Sequence, residues 1–361
     1  MRRWINVQMI LAVLAVVTAI PCSAAVLNVP AEHPDIESAL ALAVPGDEVV
    51  VAAGHYPEHD LILPSGIVLR GATGDPADVV IDGERAGRCI YGANLDTATR
   101  LEALTLSNGL PALGTTPHNS WGAGLMVDEG ELTISNCVFT GNETAIGGGA
   151  FIIGTGAPVI VDCIFDGNSA SESAGLLLHG TCDPLVKNCI FRNGDRVTYG
   201  GGLTWTGAGH LLLEDCTVED NTVIESGGGV EILGSAAVAT LRNCVIRHNV
   251  SGYGAGGLSV GNHGRVVLEQ CQITENSADN YAGGIGLGTG TYLEADDSSI
   301  LNNTSPTGAD CQVGSSATAT LTCCDIDLEA WAILGAFSQN NDDCVVAAEE
   351  STWSEVKRLY R

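Results

Sequence analysis

The amino-acid sequence predicts an all-β fold, a solenoid of short parallel strands stacked coil upon coil. A cysteine motif and a glycine motif recur in phase, about 26 to 28 residues apart, through most of the 361 residues. Within each repeat, apolar residues alternate with a period of two in short runs that Asn and Gly interrupt. These observations predict three short strands per coil, with neighbouring coils about 4.8 Å apart.

The cysteine motif has the form Cys-x-apolar-x-x-Asn, and the copy at Cys189 is one residue short. We expect its cysteines to point inward as free thiols, because their parallel Cβ vectors suit disulfide bonding badly. The asparagines from Asn142 to Asn303 should form a buried amide ladder. Complete copies begin at Cys137, Cys163, Cys216, Cys244 and Cys271.

The glycine motif is a Gly pair or triplet followed by alternating apolar residues. On these strands the alternation places Met126, Phe151, Ile153 and Leu177 outward, which predicts an exposed apolar patch. Such patches bind a partner or are covered, and the candidate covers are the insertion 110–119 and the C-terminal tail. Copies of the motif lie at 122–127, 147–152, 175–178, 200–205, 227–232, 256–260 and 283–287.

Register also aligns charged side chains. Stacked residues of opposite sign on neighbouring coils stabilise the stack, so we expect two structural ion-pair ladders. One precedes the ladder cysteines and the other follows them: Lys187, Glu214, Arg242 and Glu269, and Asp166, Arg192, Glu219 and Arg247.

The N-terminus has the features of a secretory signal over residues 1–25. Arg2 and Arg3 precede an apolar run at 9–20 and small residues at 22–25, and Pro21 disfavours a lipid anchor on Cys22. We expect a secreted or cell-surface protein with no transmembrane segment in the mature chain. Because exported proteins form disulfides, these are expected among Cys311, Cys323, Cys324 and Cys344.

A short helix is predicted over residues 35–44, ended by Pro45-Gly46, as an N-terminal cap. This segment, Ile36-Glu-Ser-Ala-Leu40, is followed by Pro45-Gly46-Asp47-Glu-Val-Val-Val51, Ala53-Gly54-His-Tyr56-Pro-Glu58 and Val68-Leu-Arg-Gly71. The sequence here resembles the pectin-lyase-like right-handed parallel β-helix proteins of exported bacterial type. The resemblance covers residues 26–328 and implies the fold, whereas such a cap occurs on enzymes and non-enzymes alike.

The remaining segment, 329–361, is predicted to be a tail that contains Cys344 and a short amphipathic helix. Thr352-x-x-Glu355 has the pattern of a capping box, and Trp353, Val356 and Leu359 share one helical face.

The net charge of the chain argues against two classes of partner. Lys and Arg number 15 against 43 Asp and Glu, for a net charge of −28, which disfavours nucleic acid and anionic membranes. Hydrophobic residues make up 45% of the chain, enough for a large core.

Candidate catalytic residues are few. The resemblance implies clustered Asp with a Gly-His-Gly and an Arg-x-Lys, and the chain offers His263 and the pair Asp296-Asp297 without the Arg-x-Lys. No cofactor is evident, although Asp325, Asp327 and Glu329 could hold Ca²⁺ through oxygen ligands. For His263 we prefer the interpretation that it is a histidine in a turn between coils. For Asp325, Asp327 and Glu329 we prefer a solvated acidic turn.

Aromatic residues suggest a ligand-binding surface. Trp121, Tyr199 and Tyr281 share a repeat position, and Tyr253 is near it. They form either a sugar-stacking ridge or simple packing at turns. With the outward Met126 and Phe151, they are the candidate binding residues.

Two functions therefore compete. The preferred one is a non-catalytic surface or extracellular module that binds polysaccharide or a protein partner. The alternative is a polysaccharide lyase or glycoside hydrolase, pectate-lyase-like or polygalacturonase-like, acting on an acidic polysaccharide.

Overall fold

The computed structural model describes residues 24–111, 120–195 and 197–340. Three predicted features lie wholly or partly outside the described residues: the signal peptide (residues 1–23), the insertion (residues 112–119), and the C-terminal segment with Cys344 and the predicted tail helix. Among the described residues, no helix has the length and hydrophobicity needed to cross a membrane.

The chain forms a parallel β-solenoid of about ten turns with almost no helix, as the repeats predict. We name face A for the strands after the glycine motif, face B for those before the ladder cysteines and face C for those between cysteine and asparagine. In the middle coils a short fourth strand follows the asparagine, and these strands form sheet D.

Faces A and B make one 22-stranded sheet, because Leu203–Glu214 and Val230–Arg242 run through both faces. The other strands of face A are Leu61–Leu63, Ile90–Leu95, Leu125–Gly130, Ala150–Gly154, Leu176–Thr181, Leu258–Gly261, Ile285–Leu287, Cys311–Val313 and Trp331–Ile333. Those of face B are Val26–Val29, Glu48–Val51, Val68–Gly71, Arg100–Glu102, Thr133–Ser135, Val159–Val161, Leu185–Lys187, Arg265–Glu269, Tyr292–Asp296, Thr318–Thr322 and Ala336–Asn340.

Face C has 11 strands and sheet D has 6. Face C consists of Gly54–Tyr56, Val79–Asp82, Thr105–Ser107, Val138–Thr140, Ile164–Asp166, Ile190–Arg192, Thr217–Glu219, Val245–Arg247, Gln272–Thr274, Ser299–Leu301 and Asp325–Ile326. Sheet D consists of Glu143–Ile146, Ser169–Glu172, Val197–Tyr199, Thr222–Ser226, Val250–Ser251 and Ser277–Ala278.

The N-terminal helix is shorter than predicted and spans Ile36–Leu40. The Asp35 carboxylate caps it by accepting a hydrogen bond from Ser38 N at 2.8 Å. The helix does not continue to residue 44, because the Asp47 carboxylate accepts from Val44 N and draws this segment into the turn before Glu48–Val51. A capping role for the helix stays a prediction.

Short 3₁₀ helices lie at Pro76–Asp78 and Leu328–Ala330. The strands Trp331–Ile333 and Ala336–Asn340 continue the coils past the predicted boundary at residue 328. The sequence did not indicate this extension because the last coil lacks the cysteine and asparagine that mark a repeat.

The ladder cysteines confirm the predicted stack of thiols. All six are free and buried, and each Sγ donates to a backbone carbonyl two residues earlier, as Cys163 does to Val161 O at 3.1 Å. Burial raises the pKa of the Cys163 and Cys216 thiols well above the usual range. The six are Cys137, Cys163, Cys189, Cys216, Cys244 and Cys271.

The asparagine ladder is also confirmed, with one break. Asn142 Nδ2 donates to Asn168 Oδ1 at 3.0 Å. A second stack joins Asn221 to Asn249, Asn276 and Asn303 through the same bond at 2.9, 2.9 and 3.0 Å. Gly194 occupies the intervening position, and only its backbone N–H reaches Asn221 Oδ1, at 2.9 Å.

Disulfides at Cys311 and Cys324 were expected, and this expectation is wrong. Both cysteines are free and buried. Cys311 lies on an inward position of face A, and Cys324 takes the ladder position of its coil, with Sγ 3.3 Å from Thr322 O. Cys323 is not among the free thiols, and disulfide bonding at Cys323 and Cys344 stays a prediction.

Candidate functional site

A groove of about 520 Å³ lies on the outer surface where face A meets sheet D. Face A and sheet D each contribute side chains from successive coils, so the groove crosses the strands and follows the solenoid axis. The lining residues are Trp121, Ile146, Phe151, Ile153, Glu172, Leu177, His179, Tyr199, Thr204, Thr206, Glu231 and Leu233.

Strand register builds the groove. On face A, Phe151 pairs with Leu177, Leu177 with Thr204 and Thr204 with Glu231. On sheet D, a parallel column runs from Ile146 through Glu172 to Tyr199, and Trp121 bridges to Ile146. The groove is therefore apolar at the N-terminal coils and becomes polar toward Glu231.

The apolar end differs from the exposed patch that the sequence predicts. Met126, Phe151 and Leu177 are only 0%, 4% and 5% exposed, because Trp121 and Ile146 of the neighbouring column pack against them. The Trp121 and Phe151 ring centroids lie 5.3 Å apart. The patch is thus a second small core beneath the groove, and Met126 is not presented to a ligand.

The polar end holds two buried side-chain oxygens without a hydrogen-bond partner in the structure. Glu231 is 2% exposed and Thr204 is 4% exposed, and neither Glu231 Oε2 nor Thr204 Oγ1 is hydrogen-bonded. Buried polar atoms are nearly always paired in folded proteins. Two orphan oxygens in one groove therefore mark a place where a ligand group can bind.

The glycine motif makes room for both side chains. A Cβ at Gly200 would fall 1.7 Å from Thr204 Oγ1, and a Cβ at Gly227 would fall 2.7 Å from Glu231 Cβ. Both glycines also have positive φ, +64° and +71°, which side chains disfavour. The glycines thus serve the groove as well as the turn.

Acidic neighbours and burial set the protonation of the groove. Burial, with the charges of Glu172 and Glu225, raises the pKa of Glu231 to about 8. Tyr199 Oη donates a hydrogen bond to the Glu225 carboxylate, and this bond raises the pKa of Tyr199. Glu231 is therefore a neutral carboxylic acid at pH 7.

A family model described as a right-handed beta helix region matches residues 66–246 and 175–346. The chain belongs to the right-handed β-helix family. The match confirms the right-handed β-helix fold that the resemblance of the sequence implies.

Solved structures of three other proteins are similar to this one at low identity. The polygalacturonase from Erwinia carotovora ssp. carotovora is 12% identical, with 88% of this chain and 96% of that chain covered and a TM-score of 0.46. The pectate lyase Pel9A is 13% identical, with 89% and 79% covered and a TM-score of 0.44. The mannuronan C-5 epimerase AlgE4 A-module from Azotobacter vinelandii is 13% identical, with 85% and 92% covered and a TM-score of 0.41. A comparison with curated proteins finds no match.

Of the four candidate aromatic residues, the β-helix brings two to the groove. Trp121 and Tyr199 line it in one column, separated by Ile146 and Glu172. Tyr253 is 65% exposed and does not line the groove. Tyr281 also lies elsewhere, half-buried, with Oη donating to Leu287 O at 3.2 Å.

The candidate catalytic residues do not meet. His263 lies in an exposed turn just before the face B strand Arg265–Glu269, whereas Asp296 pairs with Glu269 at the far end of that strand. Asp296 and Asp297 are exposed, and their carboxylates lie within 4.8 Å of each other and of Cys323 Sγ. None of these residues lines the groove.

One of the three calcium candidates has a structural role. Asp327 caps the 3₁₀ helix Leu328–Ala330 by accepting from Glu329 N at 3.0 Å. Asp325 and Glu329 are exposed. Among the described residues these three do not form a cluster with metal-ligand spacing, and calcium binding stays a prediction.

Sequence reasoning missed Thr204, Glu231, Glu172 and His179. A signal was present, because the glycine motif aligns Glu231 with the outward Phe151 and Leu177, where an acid departs from the apolar column. Sheet D gave no comparable signal, since its strands have no regular alternation.

Proposed function

We propose that this chain is an exported β-helix protein that binds polysaccharide, without catalysis, along the groove between face A and sheet D. One observation carries the proposal: an aromatic and apolar wall shares one groove with two buried, unpartnered oxygens, Glu231 Oε2 and Thr204 Oγ1. Ligand sites commonly combine an apolar lining with a few convergent polar groups.

A saccharide matches both parts of this groove. Its ring has apolar C–H faces that pack on aromatic side chains such as Trp121 and Tyr199, and its hydroxyls can pair with buried oxygens. A linear chain also fits the direction of the groove, because lining residues come from successive coils. These features favour a polysaccharide over a protein partner.

The exported address is part of the proposal. Arg2 and Arg3, the apolar run at 9–20 and the small residues at 22–25 support secretion or display at the cell surface. An extracellular location would give the groove access to polysaccharide.

Glycan binding by the purified mature protein tests the proposal. We expect one or more glycans of a panel of neutral and acidic polysaccharides to bind. Trp121→Ala and Tyr199→Ala should weaken that binding, whereas Tyr253→Ala, which removes an exposed aromatic ring outside the groove, should not. Equal effects of all three substitutions would place binding elsewhere, and no binding to any glycan would refute the proposal.

A second candidate is glycoside hydrolysis, and the protonation of Glu231 favours it. A carboxyl group with a pKa of about 8 is protonated at neutral pH and can act as a general acid. Glu172 or Glu225 would supply the second carboxylate that such hydrolysis requires. New reducing ends produced by the wild-type protein and abolished in Glu231→Gln would support this candidate. Binding without products would support the non-catalytic module.

A further inference from the structure

We propose that the groove selects an uncharged saccharide, with Glu231 as a hydrogen-bond donor to a sugar hydroxyl and Thr204 Oγ1 as a second contact, and that it rejects uronic acids. This inference rests on the proposed function and specifies its ligand. It differs from the acidic polysaccharide that the resemblance of the sequence implies.

The charges of the groove argue against an anionic sugar. Glu172 and Glu231 line the groove, and besides burial the charge of Glu225, on the sheet D strand Thr222–Ser226, raises the pKa of Glu231. Among the described lining residues there is neither Lys nor Arg. A uronate carboxylate would therefore be desolvated among acids without a cation to pair with, which is costly.

The remaining titratable lining groups are His179 and Tyr199, and each is hydrogen-bonded to a neighbouring side chain. His179 Nδ1 is hydrogen-bonded to Thr206 Oγ1 at 2.8 Å, and Tyr199 Oη is bonded to the Glu225 carboxylate. On the neighbouring coil Glu231 pairs with Ser259, which is neutral and hydrogen-bonded to Ser226 at 2.9 Å. The site thus offers hydroxyls and carboxyl groups, which match the hydroxyls of a neutral sugar.

Geometry and protonation agree at Glu231. Its Oε2 is buried, lines the groove and has no hydrogen-bond partner. At neutral pH the side chain is protonated, since burial raises its pKa to about 8, and the neutral acid can donate to a hydroxyl oxygen. Above that pH the group becomes a buried anion and loses its donor, so binding should weaken.

Titration calorimetry with oligosaccharides of matched length tests the selection. We expect neutral hexose or pentose oligomers to bind about tenfold or more tightly than oligouronates. For the wild-type protein, affinity for the neutral oligomer should fall between pH 6 and pH 9.5, across the pKa of about 8. Glu231→Gln, which mimics the neutral acid, should retain binding and lose this pH dependence. Glu84→Gln, at an exposed glutamate outside the groove, is the matched control and should behave like the wild type.

The outcomes separate this inference from the proposed function. Tighter binding of oligouronates would overturn the inference and leave polysaccharide binding intact. An unchanged pH profile in Glu231→Gln would also overturn it, provided that thermal melting at pH 6 shows the variant folded. Absence of binding to any saccharide would overturn both proposals. Binding that appears only when residues 112–119 are deleted would make that segment the occupant of the groove and would likewise overturn both.

Discussion

Lys187 Nζ lies 2.9 Å from Glu214 Oε2 on the next coil of face B. The series continues upward, because Arg242 pairs with Glu214 at 3.7 Å and with Glu269 at 2.6 Å. A second series on face C pairs Arg192 with Asp166 and Arg247 with Glu219 at 2.8 and 2.7 Å. The predicted charge ladders are therefore present, and they oppose a slip of one coil, which would place like charges together.

Reversing one charge in this ladder should destabilise the fold. Glu214→Lys would place three cations in register on adjacent coils, so we expect the melting temperature to fall by a few degrees, and less in high salt. Differential scanning calorimetry measures the change. Adding Lys187→Glu should recover part of the loss, since one opposite-charge pair returns while Arg242 still faces Lys at position 214. No recovery in the double variant would show that the pairing is energetically silent.

The asparagine ladder predicts a larger loss. Asn249→Ala removes the bonds to Asn276 Oδ1 and Val218 O, and it removes the Oδ1 that accepts from both Asn221 N and Asn221 Nδ2. Each buried polar group left unpaired costs about 1–3 kcal/mol, so urea denaturation should show a loss of that order or more. Asn280→Ala, at an exposed asparagine, is the control and should be near neutral. Equal losses would contradict a special role for the ladder.

Glu231 should make stability depend on pH. Its pKa in the folded protein is about 8, raised from an ordinary value of 4.5. Between these values the unfolded chain releases this proton and the folded protein keeps it. The stabilisation is therefore complete below about pH 4.5 and is lost as the pH rises to about 8, by roughly 1.4 kcal/mol per unit at most.

Comparison with Glu231→Gln isolates this contribution. We expect the free energy of unfolding of the wild type, relative to the variant, to fall from pH 5 to pH 8 and then to level off above the pKa of about 8. Urea denaturation at each pH measures it. A constant difference across this range would mean that Glu231 ionises normally in the folded protein.

Cysteine labelling should separate two classes of cysteine, the free buried thiols and those expected to form disulfides. In the native protein the ten free, buried thiols should resist alkylation. After denaturation without reductant these ten should react, whereas Cys323 and Cys344, where disulfide bonding is predicted, should react only after reductant is added. Peptide mapping that finds two ladder cysteines bonded to each other would contradict this arrangement.

The repeat explains why so much of the core could be predicted. A solenoid uses one local environment many times, so the same residue type recurs wherever that environment recurs, as Cys163, Phe165 and Asn168 show within a single coil. The register of these residues predicted the thiol stack, the amide ladder and the paired charges. The stacked rings of Phe139, Phe165 and Phe191, with centroids 4.6 and 4.8 Å apart, follow from the same register.

The groove could not be predicted in the same way, because it depends on departures from the repeat. Glu231 stands where other coils carry Phe151, Leu177 or Thr204, and its burial depends on the sheet D column beside it. Direction was predictable for Met126, but exposure was not, since Trp121 and Ile146 come from other turns. Prediction from the sequence failed at Cys311 and Cys324 for a similar reason. The predicted export of the protein favours disulfides, whereas the positions of these two cysteines in the core favour free thiols.

In the second asparagine stack, each side-chain amide donates to the amide of the next coil toward the C-terminus. The amide dipoles therefore point the same way and add along the solenoid axis. The stack that begins at Asn221 ends at Asp310, whose Oδ1 accepts from both Asn303 N and Nδ2 at 2.8 and 2.9 Å. A carboxylate has no N–H to donate, so the stack ends at Asp310. The negative charge of Asp310 lies at the electropositive end of the aligned amide dipoles. Extending the stack by one more coil would require an amide side chain at position 310. A single side chain therefore limits how many coils this asparagine stack can include.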